Sequence, residues 1–228
     1  MRSDYQAIKE RIKAAALQAG RNPDEIKLVA VCKGQPPEAL AAVFAQGQRI
    51  FAESYLQEAE DKIFNLRDKP EINWHFIGRL QSNKTGRIAA LFNTIESVAN
   101  RQIAARLNSQ AEQLGKKLNV LIQVSLAGES GKAGCAPDEL EDLAQHIAGL
   151  NHLNLQGLMT LPPLFDDPEA ARPYFARLRE LSFKLAPNLP AGAMGELSMG
   201  MSGDFEAAIS EGATMVRIGT ALFGSRSR

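Results

Sequence analysis

Only two cysteines, Cys32 and Cys135, occur in the 228 residues. Two thiols far apart in sequence exclude a disulfide framework and a structural zinc site, which needs more ligands at close spacing. Both are read as small buried hydrophobes. Histidine is nearly as scarce. Of the three, His146 and His152 fall on or near a helix with no metal-ligand partner at useful spacing, so no metal centre is expected. Net charge is also lacking: 26 basic residues balance 26 acidic ones. Proteins that bind nucleic acid or anionic membranes usually carry a basic excess, so neither partner is expected. A local basic cleft for one small anion stays open. There is no apolar run long enough to span a membrane, and Met1-Arg-Ser-Asp-Tyr-Gln6 has no signal-peptide core. The sequence therefore predicts a soluble, cytoplasmic protein. Linkers, internal repeats and low-complexity tracts are missing too, so residues 1–228 are assigned to a single domain. No interface is legible, and a monomer is expected.

What is present is alternation. Hydrophobic residues make up 45% of the chain, enough for a full core. Ile8, Ile12, Ala15 and Ala16 recur at helical spacing in a helix over 4–19. Strands are predicted at 27–33, 48–53, 73–78, 94–98, 119–126, 154–160, 195–200 and 213–218. Helices are predicted between them at 37–46, 55–67, 82–92, 100–115, 137–149, 168–186 and 203–211. Pro36 and Pro37 stand at the start of the second helix, where proline is tolerated, and Gly47 closes it. Such regular alternation requires a parallel sheet with crossover helices. Eight units in about 200 residues fit a closed (β/α)8 barrel. An open doubly wound sheet is the runner-up, but no Gly-x-Gly-x-x-Gly follows the first strand.

In such a barrel the functional groups gather at the C-terminal ends of the strands. Lys33 ends the apolar run Leu28-Val-Ala-Val-Cys-Lys33. A lysine at the mouth of a buried strand either reaches into water or serves as a partly desolvated amine able to condense with an aldehyde. Alternation puts Val29, Val31 and Lys33 on one face and Leu28, Ala30 and Cys32 on the other, so Cys32 is expected to pack outward against the helices. Glu53 and Ser54 end the second strand and His75 lies near the end of the third. Ser198 and Met199 end the seventh, with Ser202 beyond. Arg217 ends the eighth, with Gly219 and Thr220 beyond. All are expected on one rim.

Ser202, flanked by glycines, stands where a helix N-cap belongs. A helix start of small residues suits a phosphate, although an ordinary cap explains it equally and Asp204 counts against an anion unless its side chain turns away. Gly219 permits close backbone approach and Thr220 adds a hydroxyl. These two loops follow the seventh and eighth strands, where barrels often hold phosphate. For Arg217 two readings stay open. It either holds a pyridine nitrogen unprotonated, since arginine does not give up its proton, or pairs with a barrel carboxylate such as Glu53 or Glu196. The Gly128-Glu-Ser-Gly-Lys132-Ala-Gly134 stretch has the wrong spacing for a phosphate loop and is read as a flexible rim loop. The basic Arg79–Lys84 stretch with Arg87 is either a solvated helix face or a lure for an anionic ligand.

Four blocks together carry a resemblance: Ala30-Val-Cys-Lys33, Trp74-His-Phe-Ile-Gly-Arg-Leu-Gln-Ser-Asn-Lys84, Leu197-Ser-Met-Gly-Met-Ser202 and Val216-Arg-Ile-Gly-Thr-Ala-Leu-Phe-Gly224. They resemble the pyridoxal phosphate homeostasis protein family, in order and at similar spacing from about residue 5 to the end. The resemblance implies the (β/α)8 TIM barrel of the alanine racemase N-terminal type and pyridoxal 5′-phosphate as cofactor. It implies that Lys33 carries the cofactor as a Schiff base. Ser202, Gly219 and Thr220 would hold the phosphate, Arg217 would face the ring nitrogen, and Ser54 and His75 would lie close by. Cys32-Lys33-Gly34 departs from the commoner Ser-Lys-Thr, and Ala52-Glu53-Ser54 from Gly-Glu-Asn. No catalytic residue is assigned. The expected role is to hold and supply the cofactor without robust catalysis, with apo forms of enzymes that use it as partners. The alternative is an amino-acid racemase of low or specialised activity. A racemase of this type draws one of its two bases, a tyrosine, from a second domain, and Tyr5, Tyr55 and Tyr174 do not obviously supply one. A cofactor-free Schiff-base aldolase is a third reading.

Overall fold

The computed structural model describes residues 4–127 and 134–224. Residues 128–133 of the expected rim loop lie outside the described residues. The chain runs α1 (Tyr5–Gln18), β1 (Lys27–Val31), α2 (Pro37–Ala45), β2 (Ile50–Glu53), α3 (Leu56–Asn65) and β3 (Asn73–Phe76). It continues α4 (Thr85–Leu91), β4 (Thr94–Val98), α5 (Arg101–Gln113), β5 (Leu118–Val124), α6 (Leu140–Ala148) and β6 (Leu153–Thr160). It ends α7 (Arg172–Leu185), β7 (Glu196–Ser198), α8 (Phe205–Ser210), β8 (Met215–Ile218) and α9 (Thr220–Phe223). The eight strands pair in sequence order, all parallel, and β1 closes on β8, so the sheet is a closed barrel with an outer ring of helices.

Strand alternation sorts the side chains into two layers. Leu28, Ala30, Cys32, Phe51, Trp74 and Phe76 point outward into the main apolar layer under the helices. Burying a side chain the size of Leu28, Phe51 or Phe76 is worth about 1.5–3 kcal/mol. Val29, Ala52 and Met215 form a separate, smaller cluster inside the barrel, with Val31, Ile50 and Ile77 packed against it. Apolar side chains usually fill such an interior. Here His75, Glu96, Ser198 and Arg217 share it, and all four are buried.

Several boundaries fall short of the sequence expectation for local reasons. β1 stops at Val31, and Lys33 lies in a turn completed by Gly34 at φ +70°. The helix expected over 168–186 begins as a separate 3-10 turn at Pro168–Ala171, because the Asp167 side chain caps it by accepting from Glu169 N. α7 then starts afresh with proline in its first turn. The helix expected over 82–92 likewise splits into a 3-10 turn, Ser82–Lys84, and α4. α9 was not expected from the sequence.

Candidate functional site at the barrel mouth

A cavity of about 320 Å³ opens at the C-terminal end of the barrel. Lys33 after β1, Ser54 after β2, Ser202 after β7, Arg217 on β8, and Gly219 and Thr220 beyond it all line this cavity. The barrel thus gathers six of the seven expected site residues from four strand ends. The apolar wall comes from Val31, Ile77, Met159, Leu161, Leu164 and Met201. Two larger hollows, of about 440 Å³ and 610 Å³, share none of these lining residues.

Lys33 is partly exposed at the edge of the cavity. Among the described residues, no hydrogen-bond or ion-pair partner holds its Nζ. Across the cavity, the β7–α8 and β8–α9 connections face each other, and Ala221 N lies 3.4 Å from Ser202 Oγ. Asp204, not Ser202, occupies the N-cap position of α8. The Asp204 carboxylate turns back to accept from Met201 N at 2.6 Å, away from the role that would oppose an anion. Burial pushes its pKa up, against the pull of the Met201 N–H and of Arg217. Gly219 is needed for close approach: a Cβ there would stand 3.1 Å from Val31 O. At Gly203 a Cβ would meet nothing within 4 Å, so its backbone is open to a ligand.

Beneath the cavity a hydrogen-bonded chain runs from Arg217 into the barrel interior. Arg217 is 3% exposed, and it donates through Nη1 to Ser198 Oγ at 2.6 Å and through Nη2 to Thr160 O at 2.7 Å. Ser198 Oγ in turn donates to Glu96 Oε2 at 2.5 Å, and Glu96 Oε1 lies 2.6 Å from His75 Nδ1. Burial alone would raise Glu96, but the His75 hydrogen bond and charge, with Arg217 and Ser198, hold it below the usual carboxylate range. An ionised carboxylate only accepts, so His75 Nδ1 is the donor. Burial pushes Arg217 down, opposed by Glu96 and Asp204. A guanidinium remains charged all the same.

Three expectations are corrected here. Arg217 pairs with neither Glu53 nor Glu196. Glu196 bonds Lys27 and Thr214. Glu53 is fully buried on the outer face of β2, paired with Lys62 of α3 and close to the Cys32 thiol, so it does not reach the rim. Alternation explains this: Ala52 faces inward, so its neighbour Glu53 must face the helices. His75 is 2% exposed on β3 and is not among the residues lining the cavity, because Glu96 stands between it and the Ser198–Arg217 pair. Cys32 does pack outward and is fully buried, with burial and Glu53 pushing its thiol pKa up well above the ordinary value. Glu96 and Thr160 were missed as site residues. A glutamate at the centre of an otherwise uncharged strand, Thr94-Ile-Glu-Ser-Val98, is the signal that would have found Glu96, because a carboxylate inside a barrel must have partners.

Comparison with known proteins shows the family and agrees with the barrel fold. The family model "Alanine racemase, N-terminal domain" matches residues 3–227. A Pseudomonas aeruginosa protein named "Pyridoxal phosphate homeostasis protein" is 49% identical over 219 residues, covering 96% of this chain and 93% of that one. The structure of PipY from Synechococcus elongatus with PLP bound is 37% identical, with a TM-score of 0.84, and covers 95% of this chain and 100% of that one. An alanine racemase from Clostridium difficile, 17% identical with a TM-score of 0.72, shares the barrel fold over 99% of this chain and 57% of its own. With this coverage and identity, the chain belongs to the pyridoxal phosphate homeostasis protein family, built on the alanine racemase N-terminal barrel.

Proposed function

We propose that this chain binds pyridoxal 5′-phosphate through Lys33 and serves its homeostasis in the cell, holding the reactive aldehyde without robust catalysis of its own. One observation carries the reading: an amine without a partner among the described residues shares a cavity with the small-residue loops after β7 and β8. The names and the PLP-bound structure of the relatives support it.

The residues present fit the ligand. The cavity volume is at the small end of the roughly 300–1,000 Å³ range typical of ligand sites. Ser202 and Thr220 supply hydroxyls and Gly203 and Gly219 supply cavity-lining backbone, the donor set that a phosphate takes. Arg217, anchored by Ser198 and Thr160, offers a fixed cation to the ring edge. When bound, the ligand supplies an aldehyde that condenses reversibly with a primary amine, releasing one water. The chain's own residues do the rest. Lys33 supplies the amine, the two loops grip the anionic end, and Met159, Leu161 and Met201 exclude water from one side.

The racemase alternative needs an acid or base on each face of a substrate carbon. None of the three tyrosines lines the cavity: Tyr5 is buried at the start of α1, Tyr174 packs tilted against Phe165, and Tyr55 is 61% exposed. This supports the carrier reading. We read the protein as a cytoplasmic monomer whose recipients are apo forms of enzymes that use the same ligand. The test is exchange of the α-hydrogen of several amino acids in deuterium oxide, run beside a ligand titration. Ligand binding with negligible exchange is expected. Exchange at enzyme-like rates, abolished by Lys33→Ala, would overturn the carrier reading.

A further inference from the structure

The turn that carries Lys33 is held from behind by one helix. Lys62 Nζ on α3 donates to Cys32 O at 2.6 Å, the carbonyl just before Lys33. Glu58, one turn earlier on α3, accepts from Gly34 N at 2.7 Å, the amide just after Lys33. The two side chains also bond each other at 3.2 Å, an i,i+4 pair on the same helix face. Glu53 completes the cluster as a second, fully buried carboxylate on Lys62. Burial pushes Lys62 down, but the Glu53 hydrogen bond and charge outweigh it, so the ammonium is held charged.

We propose that Glu58 and Lys62 are positioning residues for Lys33: together they clamp the peptide groups on both sides of it and so fix where its amine stands in the cavity. The proposal rests on the functional reading above and adds to it which residues aim the amine. The turn's own closure is one backbone bond, Gln35 N donating to Cys32 O at 3.1 Å, the same carbonyl that Lys62 holds. Gly34 adopts a positive φ that only glycine takes freely, and Cys32 is tied by its N–H to Ala52 O at 3.0 Å on the barrel side. With the clamp intact, the two peptide planes are fixed and only the Lys33 side chain remains to be ordered. Without it, the turn relaxes and the amine spends less time within reach of an aldehyde whose other end is held by the β7 and β8 loops. A misplacement of about 1 Å at a reacting atom costs on the order of 100-fold in rate.

The experiment uses the full chain. Glu58 is the residue to vary, because its side chain is 39% exposed, whereas truncating Lys62 would strand the buried Glu53. Three readouts are compared in wild type, Glu58→Ala and Glu58→Gln. They are the rate at which pyridoxal 5′-phosphate becomes linked to Lys33, the affinity for pyridoxine 5′-phosphate, which has no aldehyde, and amide hydrogen exchange at Gly34. In Glu58→Ala the linking rate is expected to fall about 10- to 100-fold and Gly34 exchange to speed up. Affinity for pyridoxine 5′-phosphate is expected to stay within about 2-fold, since the phosphate grip lies elsewhere. Glu58→Gln keeps an amide oxygen for Gly34 N and is expected to restore most of the rate. A normal linking rate in Glu58→Ala overturns the proposal. So does a parallel loss of linking, pyridoxine 5′-phosphate affinity and melting temperature, which marks a general structural role. A wild type that never links the aldehyde overturns the functional reading itself, and the clamp with it.

Discussion

Arg217 and Glu96 share one hydroxyl: Ser198 Oγ accepts from the guanidinium at 2.6 Å and donates to the carboxylate at 2.5 Å. Two opposite charges are thereby tied inside a barrel that normally holds apolar side chains. Neither group can be removed without leaving the other buried and short of a partner. Replacing Ser198 with alanine breaks both bonds at once. The expected cost is about 1–3 kcal/mol of stability, read from urea denaturation, because two buried charged groups each lose one hydrogen bond. A Ser198→Ala protein as stable as wild type would show that the chain of bonds is not coupled to the fold.

Glu96 makes stability depend on pH in a defined window. Its folded-state pKa lies below the ordinary value of 4.5, because His75, Arg217 and Ser198 outweigh the effect of burial. Its ionised form therefore stabilises the fold above pH 4.5, and that contribution is lost as pH falls from 4.5 through the lower folded value. In this window the unfolded chain binds more protons than the folded one, so stability rises with pH. Denaturation curves over about pH 5 to 3 are expected to show a shallower loss in Glu96→Gln than in wild type. Equal slopes would contradict the assignment.

Gly78 sets the height of the β2–α3 connection. A Cβ on it would come within 2.0 Å of Ser54 O, and its own carbonyl accepts from Ser97 Oγ at 2.6 Å. Gly78→Ala must therefore push the Ser54 backbone away, at a cost of about 1–3 kcal/mol or more. Since Ser54 lines the cavity, ligand affinity is expected to fall together with the melting temperature.

Ser202 separates binding from folding. Its hydroxyl makes a long 3.4 Å contact with Ala221 N and does not cap α8. Ser202→Ala is expected to change stability by less than about 0.5 kcal/mol. Affinity for pyridoxal 5′-phosphate is expected to drop about 10-fold, the worth of one hydrogen bond to a charged group. Calorimetric titration beside a thermal melt checks both halves.

The barrel was legible because its signals are periodic. Thr94–Val98 matches its expected strand at both ends, and the inward alternation of Val29 and Val31 correctly sent Cys32 outward. The rim was legible because a closed parallel barrel puts every strand end on one side, so Lys33, Ser54, Ser202, Arg217, Gly219 and Thr220 could be gathered without knowing a single contact. Residues that act through partners were harder to see. Glu96 lies mid-strand, and its role depends on His75 and Ser198 from two other strands. Glu58 and Lys62 look like an ordinary i,i+4 surface pair, yet Lys62 is 6% exposed and reaches back to the β1 turn. Position along β2 puts Glu53 on the rim, but the face it occupies turns it to Lys62 under the helices.

Reduction with borohydride in the presence of pyridoxal 5′-phosphate, followed by peptide mass spectrometry, tests the central claim most directly. The account predicts the phosphopyridoxyl group on Lys33, with no labelling of that peptide in Lys33→Ala. Label spread over exposed lysines, with Lys33 unmodified, would contradict it.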